Sequence, residues 1–476
     1  MPLFPLPINM VLPSNIIERI QMNDIIKLLD LEDDTFVIDK VEIDNGTKHI
    51  TVSTNVVPHT CPICNSKMKS RGIKERTIRH PILQDGYNVV ITLKQRRWRC
   101  TNLNCKYDMA ESFNFVKKGK QTSNAAELLI VNAFRSIDVT AAEVGRQFNI
   151  SDHHAMDIFD RYVHMKRLSL PEAICIDEVY LDMDNYCKYV LVLQDFATGE
   201  PIDLVISRRK SVTEPYFVKI PRAERDNVKY LISDMYNPYL DIAKTFFHNA
   251  VPVVDSFHVM QWITHQLDLY LIKLLKQYKE RDIANEIARQ HLQFRPQHIP
   301  VSNEVYLLQN HRWVLLRNRR NINYSDDKKL NNHFKMEMNT YDYETRFLAL
   351  DPNLAELREL KEKYAEFNYR NSGNPKAAAE ELDELIDEYA SSKQNIFREF
   401  SRTLTKYRQP IINSFIHYEK ICNGKSYVAR LSNGPVESLN RKAKDIKRNA
   451  RGYTNFNHLR NRFLFALRKN SHISAK

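Results

Sequence analysis

The chain has 476 residues, 43% of them hydrophobic and 27% charged, a balance that excludes both a single small module and global disorder. Its 70 Lys and Arg outnumber 58 Asp and Glu, and the surplus sits in residues 61–120 and 441–470, leaving the remainder net acidic. Two basic segments on an acidic remainder suggest two contacts with a polyanion. Only 10 glycines argue against Gly-rich phosphate loops, and no apolar run reaches the roughly 18 residues of a membrane span. Met1 to Met10 is apolar but lacks a positive leading region and is broken by Pro2, Pro5 and Pro7, so it makes a poor signal peptide. Without a secretion signal, seven cysteines point to a reducing compartment, where close Cys pairs mean metal more often than disulfide.

Residues 1–56 read as an N-terminal segment with a helix from Ile16 to Leu29, then strands at Thr35–Ile38 and His49–Val52. Residues 57–120 hold Cys61-Pro-Ile-Cys64 and, after a strand-rich stretch, Cys100-Thr-Asn-Leu-Asn-Cys105. Two close pairs can offer four thiolates in the tetrahedron that zinc prefers. Between them Lys94, Arg96, Arg97 and Arg99 surround Trp98 on a strand suited to DNA backbone contact.

Residues 121–170 have the spacing of a helix-turn-helix. Asn124–Phe134 is helical, Thr140 caps Ala141–Phe148, Asn149-Ile150 turns, and Ser151 caps a third helix with Met156, Phe159 and Val163 as its apolar stripe. In such modules the helix after the turn enters the major groove, which would put His153 and His154 near DNA. A three-helix unit with no DNA contact fits the same pattern.

From 171 the period shortens. Ile174–Asp177, Tyr189–Asp195, Asp203–Ile206, Tyr230–Asp234 and Val251–Asp255 are short apolar strands of a sheet covered on both faces, the first three as a meander. Residues 257–424 are mostly helical, with a helical hairpin about the Asn371–Pro375 break. The catalytic candidates are acids at strand ends, Asp177 and Asp234, since carboxylates converging from neighbouring strands hold hard divalent cations. Most aspartates after a strand merely start a turn, as Asp195 is read to do. In the final basic helix Leu439, Ala443, Ile446 and Ala450 face one way, while Glu437, Arg441, Lys444 and Arg448 face the other. Glu437 is the preferred third ligand beside cations that hold phosphates, with Glu419 a competitor.

Together the Cys-x-x-Cys, the helix-turn-helix pattern, Ile176-Asp-Glu178, Ser233-Asp-Met-Tyr236, Val254-Asp-Ser-Phe-His-Val259 and Ser432-Asn-Gly-Pro-Val-Glu-Ser-Leu-Asn440 resemble the ISL-three family of bacterial insertion-sequence transposases, in order from about residue 20 to 468. The second cysteine pair departs from the family in its wider spacing. The resemblance implies a multidomain α/β protein. Its ribonuclease-H-like core (171–256 and 425–470) would be interrupted by a helical insertion (257–424) and preceded by the zinc domain and the helix-turn-helix. It maps an Asp-Asp-Glu triad onto Asp177, Asp234 and Glu437 with two Mg²⁺ or Mn²⁺ ions, and makes Asp255 and His258 accessory. The function it implies is cleavage and strand transfer on double-stranded DNA, at terminal inverted repeats and target, by a homodimer in the bacterial cytoplasm or nucleoid. The alternative is a transposase-derived DNA-binding regulator that no longer catalyses.

Overall fold

The computed structural model describes residues 36–80, 88–183, 188–291, 294, 298–422, 424–450 and 453–471. The helix expected over Ile16–Leu29 lies outside them. The described residues up to Lys166, with those from Asp445 on, form one compact unit, and Arg167–Lys444 form a second.

The first unit opens with strands β1 (Phe36–Asp44), β2 (Thr47–Thr54), β3 (Met68–His80), β4 (Asn88–Cys100) and β5 (Asp108–Ala110). β1 and β2 are joined through Asn45 and Gly46, both at positive φ, the backbone that Asn-Gly supplies to tight hairpins. The sheet runs β1-β2-β4-β3, with β5 on β4. Its inward residues Ile50, Val52, Ile78, Val89, Ile91 and Leu93 alternate with outward polar ones, as one-sided strands require.

Three helices follow: α1 (Asn124–Ala133), α2 (Ala141–Phe148) and α3 (Asp152–Tyr162). Ser123, Thr140 and Ser151 each accept a backbone N–H of the first turn that would otherwise lack a partner. Asn149 ends α2 in the left-handed conformation. A Cβ on Gly145 would lie 2.8 Å from the Ile150 carbonyl oxygen, so only glycine lets α2 abut the start of α3. Ile130, Phe134, Val144, Ile158 and Phe159 form the core of this bundle.

The second unit is built on β6 (Ala173–Tyr180), β7 (Tyr189–Asp195) and β8 (Pro201–Val205), then α4 (Lys210–Val218), α5 (Arg222–Asp226), β9 (Tyr230–Ser233), α6 (Asn237–Phe246) and β10 (Val251–Val254). The order is β10-β9-β6-β7-β8. β6, β7 and β8 are an antiparallel meander, and β9 and β10 run parallel to β6. Near-continuous burial along β6–β8 reflects cover on both faces.

From β10 the chain enters α7 (Ser256–Gln290), whose 35 residues span about 52 Å. Then come α8 (Asn303–Asn310), α9 (Trp313–Leu316), a small hairpin of β11 (Lys329–Asn331) and β12 (Met336–Met338), α10 (Thr340–Leu348), α11 (Leu354–Arg370), α12 (Pro375–Ser391), α13 (Asn395–Lys406) and α14 (Arg408–Asn413). Their apolar stripes share one core with Val254, Val259 and Ile263, so the helical segment is anchored at the end of β10. Asn413 Nδ2 donates to the Pro252 carbonyl at 2.8 Å, fixing α14 to that strand.

A hairpin of β13 (His417–Cys422) and β14 (Lys425–Arg430) follows, turning through Gly424 at φ 75°. α15 (Gly434–Asn449) comes next, and α16 (Phe456–Leu467) is the last element among the described residues. Residues 425–470 were expected to belong wholly with the sheet. Those from Asp445 on instead join the first unit: Phe465 packs edge-on against Phe159 at 5.6 Å, and Arg462 donates to the Phe134 and Ser136 carbonyls.

Candidate active site

β6, β9 and β10 deliver the site through their register. Cys175 pairs with Ile232 and Ser233 with Val254. Two residues past the first pair stand Asp177 and Asp234, and one past the second stand Asp234 and Asp255. Three acids thereby stand toward the same end of three adjacent parallel strands. Asp177 does not close its strand as the sequence suggests: β6 runs on to Tyr180.

Asp177 is 6% exposed. Its Oδ1 accepts the Glu178 N–H at 2.8 Å and its Oδ2 accepts Asn440 Nδ2 at 2.6 Å. Burial, then the Asp234 charge, push its carboxyl up to about 7. Asp234 Oδ1 accepts Asn433 Nδ2 at 3.2 Å and forms an ion pair with His258 Nε2 at 2.5 Å. Burial pulls the His258 imidazole down, but Asp234, Asp255 and Asp177 outweigh it and hold it up at about 9. Asp255 is buried, caps α7 through the Phe257 N–H at 2.9 Å and accepts the Asn433 N–H at 2.7 Å. The motif 432–440 therefore grips all three aspartates through Asn433 and Asn440. Both amide oxygens, Asn433 Oδ1 and Asn440 Oδ1, are buried without a hydrogen-bond partner.

Glu437 is exposed on the first turn of α15, one turn before Asn440. Among the described residues the one set of three or more His, Cys, Asp or Glu whose ligand atoms all lie within 4.8 Å is not this one; it is the four cysteines. The Asp234 charge reaches Asp177, whereas Glu437 is not among the groups that shift it. Its competitor Glu419 is exposed on β13 and accepts the Ser426 hydroxyl.

A family model described as Transposase, DDE_Tnp_ISL3, matches residues 174–463, more than half the chain. The chain belongs to this ISL-three transposase family. No curated protein matches it. As a transposase it is a DNA-processing enzyme, and no helix among the described residues is long and apolar enough to cross a membrane.

In the transposase's first unit Cys61 Sγ lies 3.7 Å from Cys105 Sγ, and Cys64 Sγ 3.4 Å from Cys100 Sγ. A disulfide needs about 2.05 Å, whereas a zinc tetrahedron with arms of about 2.3 Å has edges of about 3.8 Å. The cluster is compatible with structural zinc. Hydrogen bonds from Ser66 hold the Cys64 thiol down at about 6, in the direction that favours a thiolate ligand.

The basic strand is more committed than its sequence implied. Trp98 is buried among the cysteines and donates to Glu111 Oε1 at 3.1 Å, so it offers no face to DNA. Lys94 pairs with Asp39 at 2.9 Å and Arg99 with Asp108 at 2.8 Å, while Arg96 is half-buried and Arg97 exposed. On α3 His153 is exposed. His154 is half-buried in a crevice lined by Arg79, Lys120 and Gln121 and lies 3.4 Å from the Thr122 hydroxyl. Arg441, Lys444 and Arg448 are exposed on α15, and Arg448 pairs with Asp445 at 2.8 Å.

Sequence reasoning missed Asn433 and Asn440, whose part appears only once 432–440 lies against the sheet. It also missed Arg79 and Lys120 beside His154, which are separated from it in sequence by the bundle itself.

Proposed function

We propose that this transposase binds the terminal inverted repeats of its element and cuts and joins DNA strands at a divalent-metal site on a ribonuclease-H-like sheet. The observation that carries the reading is that Asp177, inside β6, stands beside Asp234 and Asp255, each one residue past the end of a neighbouring parallel strand, in a sheet whose first three strands form a meander. The donor set fits a hard cation: a buried Asp177 carboxyl raised by burial and by the Asp234 charge, and two buried amide oxygens with no partner.

Asp177 and Asp234 would hold the ions, and Glu437, one turn from the residue that touches Asp177, would supply the third carboxylate. When bound, Mg²⁺ or Mn²⁺ would supply the Lewis acidity that activates water and stabilises the leaving oxygen. Asn440 and Asn433 keep the two aspartates oriented toward the phosphate. Arg441 and Lys444, exposed one and two turns along α15, hold the DNA backbone beside it. Water cleaves the phosphodiester and leaves a 3′-hydroxyl. That hydroxyl then attacks a target phosphodiester and displaces a new 3′-hydroxyl, so bonds broken and formed balance.

The cysteine cluster would carry one structural Zn²⁺. The α1–α3 bundle would serve as a helix-turn-helix that reads the repeats with α3, and two element ends would be brought together by a homodimer. The exposure of Glu437 favours a second reading, a regulator that binds the repeats without cutting. The test is Mg²⁺-dependent cleavage of DNA carrying the element's ends. Wild type is expected to cleave, and Glu437→Gln and Asp234→Asn to lose cleavage by about a thousand-fold or more while binding ends. Full cleavage by Glu437→Gln removes that residue from the site, and no cleavage by wild type leaves the regulator.

A further inference from the structure

Beside the aspartates, on the same end of the central sheet, lies a run of aromatic and cationic side chains to which the proposed chemistry assigns nothing. Tyr180 and Tyr189 face each other where β6 ends and β7 begins, rings edge to face at 5.3 Å. The Arg208 guanidinium, just past β8, lies 4.1 Å from the Tyr189 ring centroid and 5.6 Å from that of Tyr236. Tyr236, two residues past Asp234, meets Tyr239 edge to face at 5.2 Å. Tyr180, Tyr189 and Tyr236 are 48%, 38% and 39% exposed.

This ladder is fixed from below by Glu178, the neighbour of Asp177. Glu178 accepts Arg208 Nη1 at 2.5 Å and the buried Tyr239 hydroxyl. Its carboxylate is thereby spent on holding the patch and is not offered to an ion. Arg208, with its charge matched, presents a planar surface rather than a phosphate clamp. Beyond it Arg209 and Lys210 stand exposed at the start of α4.

We infer that the Tyr180–Tyr189–Arg208–Tyr236 ladder is a stacking platform for unpaired nucleotides of the DNA strand that enters or leaves the cleavage site, with Arg209 holding the adjoining phosphate. Duplex bases have their faces covered by their neighbours, so exposed rings in this number are useful only to bases out of the stack. Cations beside rings match a single strand, which offers phosphates and bare faces together. The inference rests on the proposed cleavage site for its place in the reaction, but its binding is measurable without cleavage.

The probe is a short duplex with a single-stranded thymidine tail carrying one 2-aminopurine, compared with the same duplex blunt, on the full chain without divalent ions. Wild type binds the tailed duplex more tightly and quenches the 2-aminopurine. Tyr180→Ala with Tyr236→Ala loses about ten-fold or more of the tailed affinity and the quenching, and keeps the blunt affinity. Tyr180→Trp with Tyr236→Trp retains both. Equal wild-type affinity for the two probes overturns the inference, as does undiminished tail binding by the alanine pair, or a parallel loss on the blunt duplex. If tail dependence holds while Mg²⁺-dependent cleavage is absent, the platform stands and the catalytic reading falls; cleavage without tail dependence gives the reverse.

Discussion

The cysteine cluster of the first unit and the aspartate cluster of the second both gather ligand atoms, by different means. The four thiols come from two local turns held by a long β3–β4 ladder, and their sulfurs already stand near the edges of a zinc tetrahedron. The three aspartates come from separate strands and meet only because β9 lies beside β6 and β10 beside β9. The charge of Asp234 helps raise the Asp177 carboxyl, and the His258 imidazole pairs with Asp234. A set of four ligands with no open position suits a permanent structural ion, whereas carboxylates that a side-chain cation already partly balances suit an exchangeable one.

The sharpest way to break this contrast is to remove each metal in turn. Structural zinc contributes about 10–16 kcal/mol of apparent binding energy to small finger domains near neutral pH. At the end of the β3–β4 ladder the Cys61–Met68–Trp98–Cys100 core is small. Stripping zinc with a strong chelator, or introducing Cys61→Ser with Cys100→Ser, should abolish the protein-bound zinc and expose residues 57–110 to protease. Withdrawing Mg²⁺ should leave the protease pattern of the second unit unchanged. Zinc-free protein with undiminished resistance over 57–110 would mean that thiol packing alone suffices there.

A smaller effect is expected from the residues that aim the aspartates. Asn440→Ala withdraws the donor 2.6 Å from Asp177 Oδ2 and leaves α15's buried face intact. Loss of such a supporting hydrogen bond typically costs about 10–100-fold in metal affinity. Mn²⁺ titration of the DNA-free protein should show that loss, with the zinc content untouched. Asn440→Gln, with the same amide on a longer arm, should recover part of it. An unaltered Mn²⁺ isotherm for Asn440→Ala would confine that side chain to packing.

These two regions also differ in how much their residues revealed beforehand. The cysteine spacing, the caps Thr140 and Ser151 and the five apolar runs are local signals, and local signals survive folding: each cap bonds a backbone N–H three residues on. The roles of Asn433 and Asn440 depend on where 432–440 lands after the long helical insertion, which no spacing encodes. Trp98 shows the converse error. Set among four cations it reads as a DNA contact, yet its indole is taken by Glu111, a partner from beyond the cysteines. Glu437 falls between, since its helix and face were legible but its distance from the aspartates was not.

The least drastic test varies only pH. Burial and Asp234 raise Asp177 from its ordinary 3.8 to about 7. Between about pH 4 and 7 the folded protein therefore keeps a proton that the unfolded chain gives up, and stability falls as pH rises through that window. His258 stands at about 9 against an ordinary 6.5, so the stability from its ion pair is full below about 6.5 and is lost as pH rises toward 9. Both groups weaken the ion-free protein in the same direction. A bound divalent cation replaces what they lose, because it takes the deprotonated Asp177 and is repelled by the imidazolium. Without Mg²⁺ the melting temperature should thus fall from about pH 6 to about pH 8.5, and the increment that Mg²⁺ adds should grow over the same range. Asp177→Asn should flatten the lower part of both trends. A Mg²⁺ increment independent of pH would place the ion elsewhere and remove the distinction drawn between the two ligand sets.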